Sequence, residues 1–189
     1  MALLRVLASW MAAAVLAGCA QQGQTFDAAP PSVAAGFSAT DVAWLQLADA
    51  LHTRALPLLA LARERSGDRS LADLAVRLAD KHETVRGRLR ALLLRAGMRG
   101  ENPHVQHDMP GMPTSDDLEA LEGMRGDVFD RRFAALLRAY LDQLVLVADG
   151  ERRSGGAAEV RELAAAMGRA HAAELAELDR SVGWAHGDR

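Results

Sequence analysis

The chain has one cysteine, one tyrosine and one lysine in 189 residues, and aromatic side chains make up only 4% of it. A single cysteine excludes an intrachain disulfide and a cysteine-rich zinc site. With 22 basic against 25 acidic side chains the net charge is −3, which excludes the basic stripe that a nucleic-acid binder needs. No stretch alternates apolar and polar residues at a period of two, so nothing reads as a half-buried strand. A glycine-rich phosphate loop and a Ser-His-Asp arrangement are both missing. The predicted helices carry Asp49-x-x-His52 once and no Glu-x-x-His, whereas a di-iron site needs that motif on two helices. These absences together predict a protein that is not an enzyme. Beyond residue 18, no run is apolar enough to cross a bilayer.

The N-terminus has a character of its own. Arg5 precedes the apolar run VLASWMAAAVLAG, the layout of an export signal rather than of a stable membrane span. The run ends in Leu16-Ala17-Gly18-Cys19, which resembles a bacterial lipobox and implies cleavage before Cys19 and lipidation of that residue. Several acyl chains, at ~0.8 kcal/mol per buried CH₂, make a durable anchor. The expected location is the cell envelope, with the lipid in the membrane and the domain outside the cytoplasm. Residues 19–37 are small, polar and aperiodic and read as a flexible tether. Residues 38–184 remain for one domain.

That domain reads as all-α. Apolar residues recur at helical spacing over Asp41 to Arg65, Ser70 to Gly97, Asp127 to Arg153 and Ala158 to Val182. Ser38 or Thr40 would cap the first helix, and Ser70 with Asp73 the second. Sliding the chain by 89 positions without a gap aligns Asp41 with Asp130, Trp44 with Phe133, Gly67 with Gly156, Leu74 with Leu163, His82 with His171 and Leu89 with Leu178. Breaks, aromatics and a histidine coincide in one register. The pattern predicts two repeated helical hairpins, residues 38–97 and 127–184, folded as an antiparallel four-helix bundle. Residues 98–114 join them, followed by a short helix capped by Thr114 or Ser115.

Two groups could carry chemistry. The joining loop holds His104, His107, Met109 and Met112, with Asp108 among them; thioether and imidazole donors suit copper, Met favouring Cu(I) and His favouring Cu(II). Its prolines 103, 110 and 113 equally suit a stiff connector whose methionines pack on the bundle. The second group lies on the apolar seams: His52, His82 and His171. The repeat puts His82 and His171 at equivalent depths, where they would bind a metal with Tyr140, Asp49 or Glu174 nearby, or would each be a neutral core histidine satisfied by one hydrogen bond. Charges such as Arg86, Arg90, Glu159 and Glu162 read as solvated outer faces.

The stretch MPGMPTSDDLEALEGMRGDVFDRRFAALL, with its Phe129-Asp130-Arg131-Arg132-Phe133 entry to a long helix, resembles the domain-of-unknown-function 305 family. VRELAAAMGRAHAAEL resembles that family's next helix, with His171 and Glu174 at the positions of a Gln-x-x-Glu. Asp80-Lys81-His82 resembles a second exported group with the same type of fold. The resemblance covers about residues 38–184 and implies a ferritin-like bundle, exported, and linked in some members to copper through Met and His. This chain departs from the family where paired histidines are expected: those places hold Leu51 and His52, and Tyr140 and Leu141. The expectations are therefore an envelope lipoprotein that binds or buffers copper through the Met/His loop, or a structural module that docks another envelope protein without metal.

Overall fold

Ser38 opens the first helix with a reciprocal cap. Its hydroxyl accepts from the Asp41 backbone N–H, and the Asp41 carboxylate accepts from the Ser38 N–H, so two otherwise orphaned donors are satisfied. The computed structural model describes residues 34–187, with side chains as far as Val182. The export signal and Cys19 lie outside the described residues. Helix α1 spans Ala39–Arg65 and α2 spans Arg69–Arg95. A one-turn 3₁₀ helix follows at Pro103–Gln106, then α3 at Ser115–Glu122, α4 at Gly126–Ser154 and α5 at Ala158–Gly187. Among the described residues there is no strand, and no helix is long and apolar enough to cross a membrane.

The start of α2 differs from the expectation. Asp68 caps it, accepting from the N–H groups of Ser70 (2.7 Å) and Leu71 (3.2 Å). The carboxylate takes two donors where the Ser70 hydroxyl would have taken one. Helix α2 ends as the sequence suggests, at Gly97 with φ of 85°. There Met98 N–H returns to Leu93 C=O at 2.9 Å, a left-handed cap that glycine adopts at little cost.

The two hairpins, α1–α2 and α4–α5, clasp each other reciprocally. Asp130, at the start of α4, accepts from the Ser66 hydroxyl (2.6 Å) and the Gly67 N–H (3.1 Å) in the α1–α2 turn. Asp41, its counterpart in the repeat, accepts from Gly156 N–H (2.9 Å) and Ala157 N–H (3.1 Å) in the α4–α5 turn. Asp41 thus caps α5 from another hairpin, a role that Ala157 has no side chain to fill. Approach is tight at both turns: a Cβ on Gly67 would lie 2.9 Å from Gly126 Cα, and one on Gly156 would lie 2.8 Å from Ser38 Cβ.

The core follows the same symmetry. One apolar cluster contains Leu71, Ala75, Leu78, Phe133, Ala134, Leu137 and Leu178. Their repeat partners Val160, Ala164, Met167, Trp44, Leu45, Ala48 and Leu89 all lie in the other cluster. Each cluster draws on both hairpins, the first on all four long helices and the second on α1, α2 and α5, so neither hairpin has a complete core of its own. On α2 and α5 a histidine sits between the residues of one cluster and those of the other, His82 and His171, and His52 on α1 packs against both rings.

The connection between hairpins runs along α1. Asn102 Nδ2 donates to Gln46 C=O and to Asp49 Oδ2 (2.6 and 3.0 Å). Arg54 donates to Val105 C=O, Asp108 Oδ1 and Pro113 C=O (3.1, 2.7 and 2.7 Å), and Arg65 donates to Glu122 C=O. Met109-Pro110-Gly111-Met112 closes a turn through Met112 N–H to Met109 C=O (3.0 Å), with Gly111 at φ of 79°. Pro followed by a left-handed Gly is the pattern of a type II turn. A Cβ at Gly111 would meet Gln143 Cβ at 2.4 Å, so this loop is pressed onto α4. One long crossover between two hairpins is the connectivity of ferritin-like bundles.

Replacing Asp41 by Ala is expected to cost about 1–2 kcal/mol, the scale of a lost helix cap. Asp130→Ala should cost a similar amount, and the two effects should add, because the residues serve opposite ends of the bundle. Urea unfolding of the single and double variants measures this; strong non-additivity would show that the two clasps are not independent.

Candidate functional site

Four helices each deliver a polar side chain to the middle of the bundle: His52 from α1, His82 from α2, Tyr140 from α4, and His171 with Glu174 from α5. All five are buried, Glu174 the most exposed at 4%. Their positions follow from helical spacing. His52 lies four residues from Ala48, His82 four from Leu78, and His171 four from Met167, each on its helix's apolar stripe.

The five form one hydrogen-bonded chain. His52 Nδ1 lies 2.6 Å from Tyr140 Oη, and Tyr140 Oη lies 3.0 Å from His82 Nδ1. His82 Nε2 lies 3.1 Å from Glu174 Oε2, and His171 Nδ1 lies 2.9 Å from that same oxygen. The His52 and His82 rings stack, with centroids 4.9 Å apart and planes 6° from parallel. The His171 ring stands edge-on to both at 5.4 Å. Two ring nitrogens are left over: His52 Nε2 and His171 Nε2 are buried and have no partner. His82, His171 and Glu174 can each offer a ligand atom within 4.8 Å of the others.

Burial governs the protonation of this group. It pushes the His52 imidazole well below its usual value, and the neighbouring His82 and His171 add to that. His82 is lowered by burial as well, against the opposing pull of Glu174. Burial alone would raise the Glu174 carboxyl, but hydrogen bonds from His171 and His82 bring it down to about 2. Tyr140 is pushed far above its usual value by burial and by the Glu174 charge, so it keeps its proton. The result is a buried carboxylate held ionised among imidazole rings inside a helical core.

The sequence-predicted residues divide. His52, His82 and His171 come together, with Tyr140 and Glu174 beside them. Asp49 does not join them: it accepts from Arg90 Nε at 3.1 Å and from Asn102, and lies 3.8 Å from Arg86 Nε. In the loop, the His104 and His107 rings are 6.3 Å apart. Met112 is buried in the core, and half-buried Met109 packs against the same cluster. Asp108 pairs with Arg54.

Two charged residues lie deeper than the sequence suggests. Arg86, read as an outer-face charge, is only 8% exposed; it lies four residues after His82, on the same face, and finds Glu83 at 2.5 Å and Asp49 as counter-charges. Glu151 is buried on α4 and was not singled out from the sequence. The spacing Leu144, Ala148, Glu151 continues the apolar stripe and was the available signal. Burial and the adjacent Asp41 carboxylate push Glu151 up to about 8. For Asp41, burial acts upward too, but hydrogen bonds from Ser38 and its other partners prevail and bring it to about 2.

A helical bundle of duplicated hairpins with a histidine-carboxylate cluster at its centre defines the class of this protein. The family model for the domain of unknown function DUF305 matches residues 41–182, and the chain belongs to that family. Two solved structures share the fold. One is a DUF305 protein from Streptomyces coelicolor, assigned as secreted, with 20% identity, a TM-score of 0.66 and coverage of 75% of this chain and 89% of that one. The other is a DUF305 fragment from Deinococcus radiodurans, with 22% identity, a TM-score of 0.69 and coverage of 82% and 99%. No curated protein matches this chain.

The protonation pattern sets the pH dependence of stability. His52 and His82 are lowered from 6.5 in the fold, so below that pH the unfolded chain binds more protons and stability falls. Glu174, lowered from 4.5 to about 2, adds a further loss as the pH drops below 4.5. Glu151 acts in the opposite direction: raised from 4.5 to about 8, its contribution is complete below pH 4.5 and is lost as the pH rises to 8. Glu151→Gln should therefore raise the urea midpoint at pH 8 and leave a curve that climbs to about pH 6.5 and then levels. An unchanged profile would rule out a protonated Glu151 in the fold.

Proposed function

We propose that this chain is a non-enzymatic lipoprotein of the cell envelope, anchored through Cys19, whose helical domain holds a copper ion at the cluster of His52, His82, His171 and Glu174 and so buffers or delivers the metal. The observation that carries this reading is the pair of unpartnered nitrogens, His52 Nε2 and His171 Nε2, beside a buried carboxylate. A network serving structure alone would leave two buried polar atoms unsatisfied, each at a cost of about 1–3 kcal/mol. Imidazole and carboxylate donors fit a first-row transition ion, and copper binds such donors most tightly among the divalent series. The export signal places the domain where external copper arrives first. The lipobox, with its acyl anchor, keeps it at the membrane without a spanning helix.

A second reading keeps the copper but moves it to the loop. His104 and His107 stand edge-to-face at 6.3 Å on either end of the 3₁₀ turn, and Met109 follows two residues later, half-buried. For Met112 to join them, its side chain would have to leave the core, where it is 6% exposed.

Titration of the purified protein, free of tag histidines, with copper against a competing chelator tests both. Binding of one ion is expected to survive alanine at His104, His107, Met109 and Met112 together. It should be lost in His171→Gln and His52→Gln variants whose helical content and melting show that they are folded. Loss in the loop variant alone would transfer the site to the loop, and an unperturbed competitor in every case would remove copper from the function.

A further inference from the structure

The two clasps of the bundle share an aspartate and turn amides but differ in one donor. At the α1–α2 turn the Ser66 hydroxyl donates to Asp130 at 2.6 Å, beside the Gly67 N–H. In the 89-residue register the counterpart of Ser66 is Gly155, which has no side chain. The backbone does not require glycine there: Gly155 has φ of −65° and ψ of 149°, close to the −66° and 137° of Ser66. Glu151 fills the space instead. A Cβ on Gly155 would overlap Glu151 Oε1 and lie 2.6 Å from its Cδ. The counterpart of Glu151 is Ala62, which is fully buried. One clasp thus pairs a serine with an alanine, and the other a glycine with a glutamate.

Glu151 is 2% exposed, and no donor faces either of its oxygens. As a carboxylate it would be a buried charge without a partner, beside the second carboxylate of Asp41. As an acid it has an O–H to give, and Asp41 is the group within hydrogen-bonding reach. We propose that the α4–α5 end of the bundle carries a pH-operated latch: Glu151 in its acid form takes the place of the Ser66 hydroxyl as the side-chain donor of its clasp, and loss of that proton as the pH rises frees the turn at Gly156 and Ala157 while the Ser66–Asp130 clasp stays shut. Two charges from neighbouring helices act on Glu151: Asp41 of α1 favours the acid, and Arg161 of α5 opposes it more weakly. Arg161 is engaged with the C=O groups of Gly155 and Gly156 (2.9 and 2.6 Å). On α4 itself Asp149 is paired with Arg152 and Arg153, and at the end of α2 Arg95 is paired with Glu159 of α5. Once ionised, Glu151 repels Asp41, and α5 loses the cap that Asp41 gives it through the Ala157 N–H. Gly156 N–H also reaches Ser38 Oγ at 3.3 Å, so the entry to α1 shares the latch.

The closed turn raises Glu151 from 4.5 to about 8, so between those values each opening releases one proton. The ratio of closed to open turn should then fall about tenfold per pH unit and level off above pH 8. Amide hydrogen exchange of the whole protein, expressed at each pH relative to the rate of an unstructured amide, reads this ratio residue by residue. Between pH 5 and pH 8 the protection of Gly156 and Ala157 should fall about tenfold per unit relative to that of Gly67, which reports the other clasp. Parallel behaviour of the three amides overturns the latch. A second reading needs no variant: the ¹³C carboxyl signal of Glu151 should titrate near pH 8 in the folded protein, and a titration at the ordinary glutamate value overturns the proposal. The double variant Glu151→Ala with Gly155→Ser transplants the arrangement of Ala62 and Ser66. Its two clasps should keep a constant ratio of protection over the same range, and a pH dependence that persists in the folded double variant removes Glu151 as its source.

Discussion

Two aspartates hold this bundle in register. Asp41 and Asp130 each reach from near the start of one hairpin into the turn of the other and take up backbone N–H groups there. The glycines at those turns admit the close approach, since a side chain at Gly67 or Gly156 would collide with the opposing hairpin. Because the clasp is the same at both ends, the hairpins are related by the repeat, and residues 89 positions apart fall at matching depths. Everything in the interior follows from that register. Each apolar cluster draws on both hairpins, and the bundle has no core without the pairing.

The same constraint produces the polar layer. A register that buries Leu71 and Leu78 with Phe133 also buries Val160 and Met167 with Trp44. The positions between the two clusters then face one another, and they carry His52, His82 and His171. Buried ionisable groups must be paired or neutral. Here Glu174 is charged, and hydrogen bonds from two rings hold it ionised. Tyr140 links His52 to His82.

Much of the fold was legible. Helical spacing gave the four long helices, and the repeat gave their pairing into hairpins, because apolar periodicity and turn glycines are local properties. Of the candidate site, the three histidines were visible on apolar seams. Arg86 and Glu151 were not read as buried, since charge alone suggests solvent, and their positions on the stripes after His82 and Ala148 carried the opposing signal. The loop methionines show a different limit. A Met-Pro-Gly-Met sequence serves equally a turn and a set of metal donors, and only its placement against α4 shows Met112 directed into the core.

Sequence alone determined the helices and the duplication, because each depends on neighbours a few residues away or on a fixed offset along the chain. Tertiary structure decided which nitrogens are free. That depends on distances of 2.6 to 3.1 Å among side chains from four helices. Hydrogen bonding is short-ranged and directional, so no pattern of residue types could have shown that His52 and His171 each present an unpartnered nitrogen while His82 presents none.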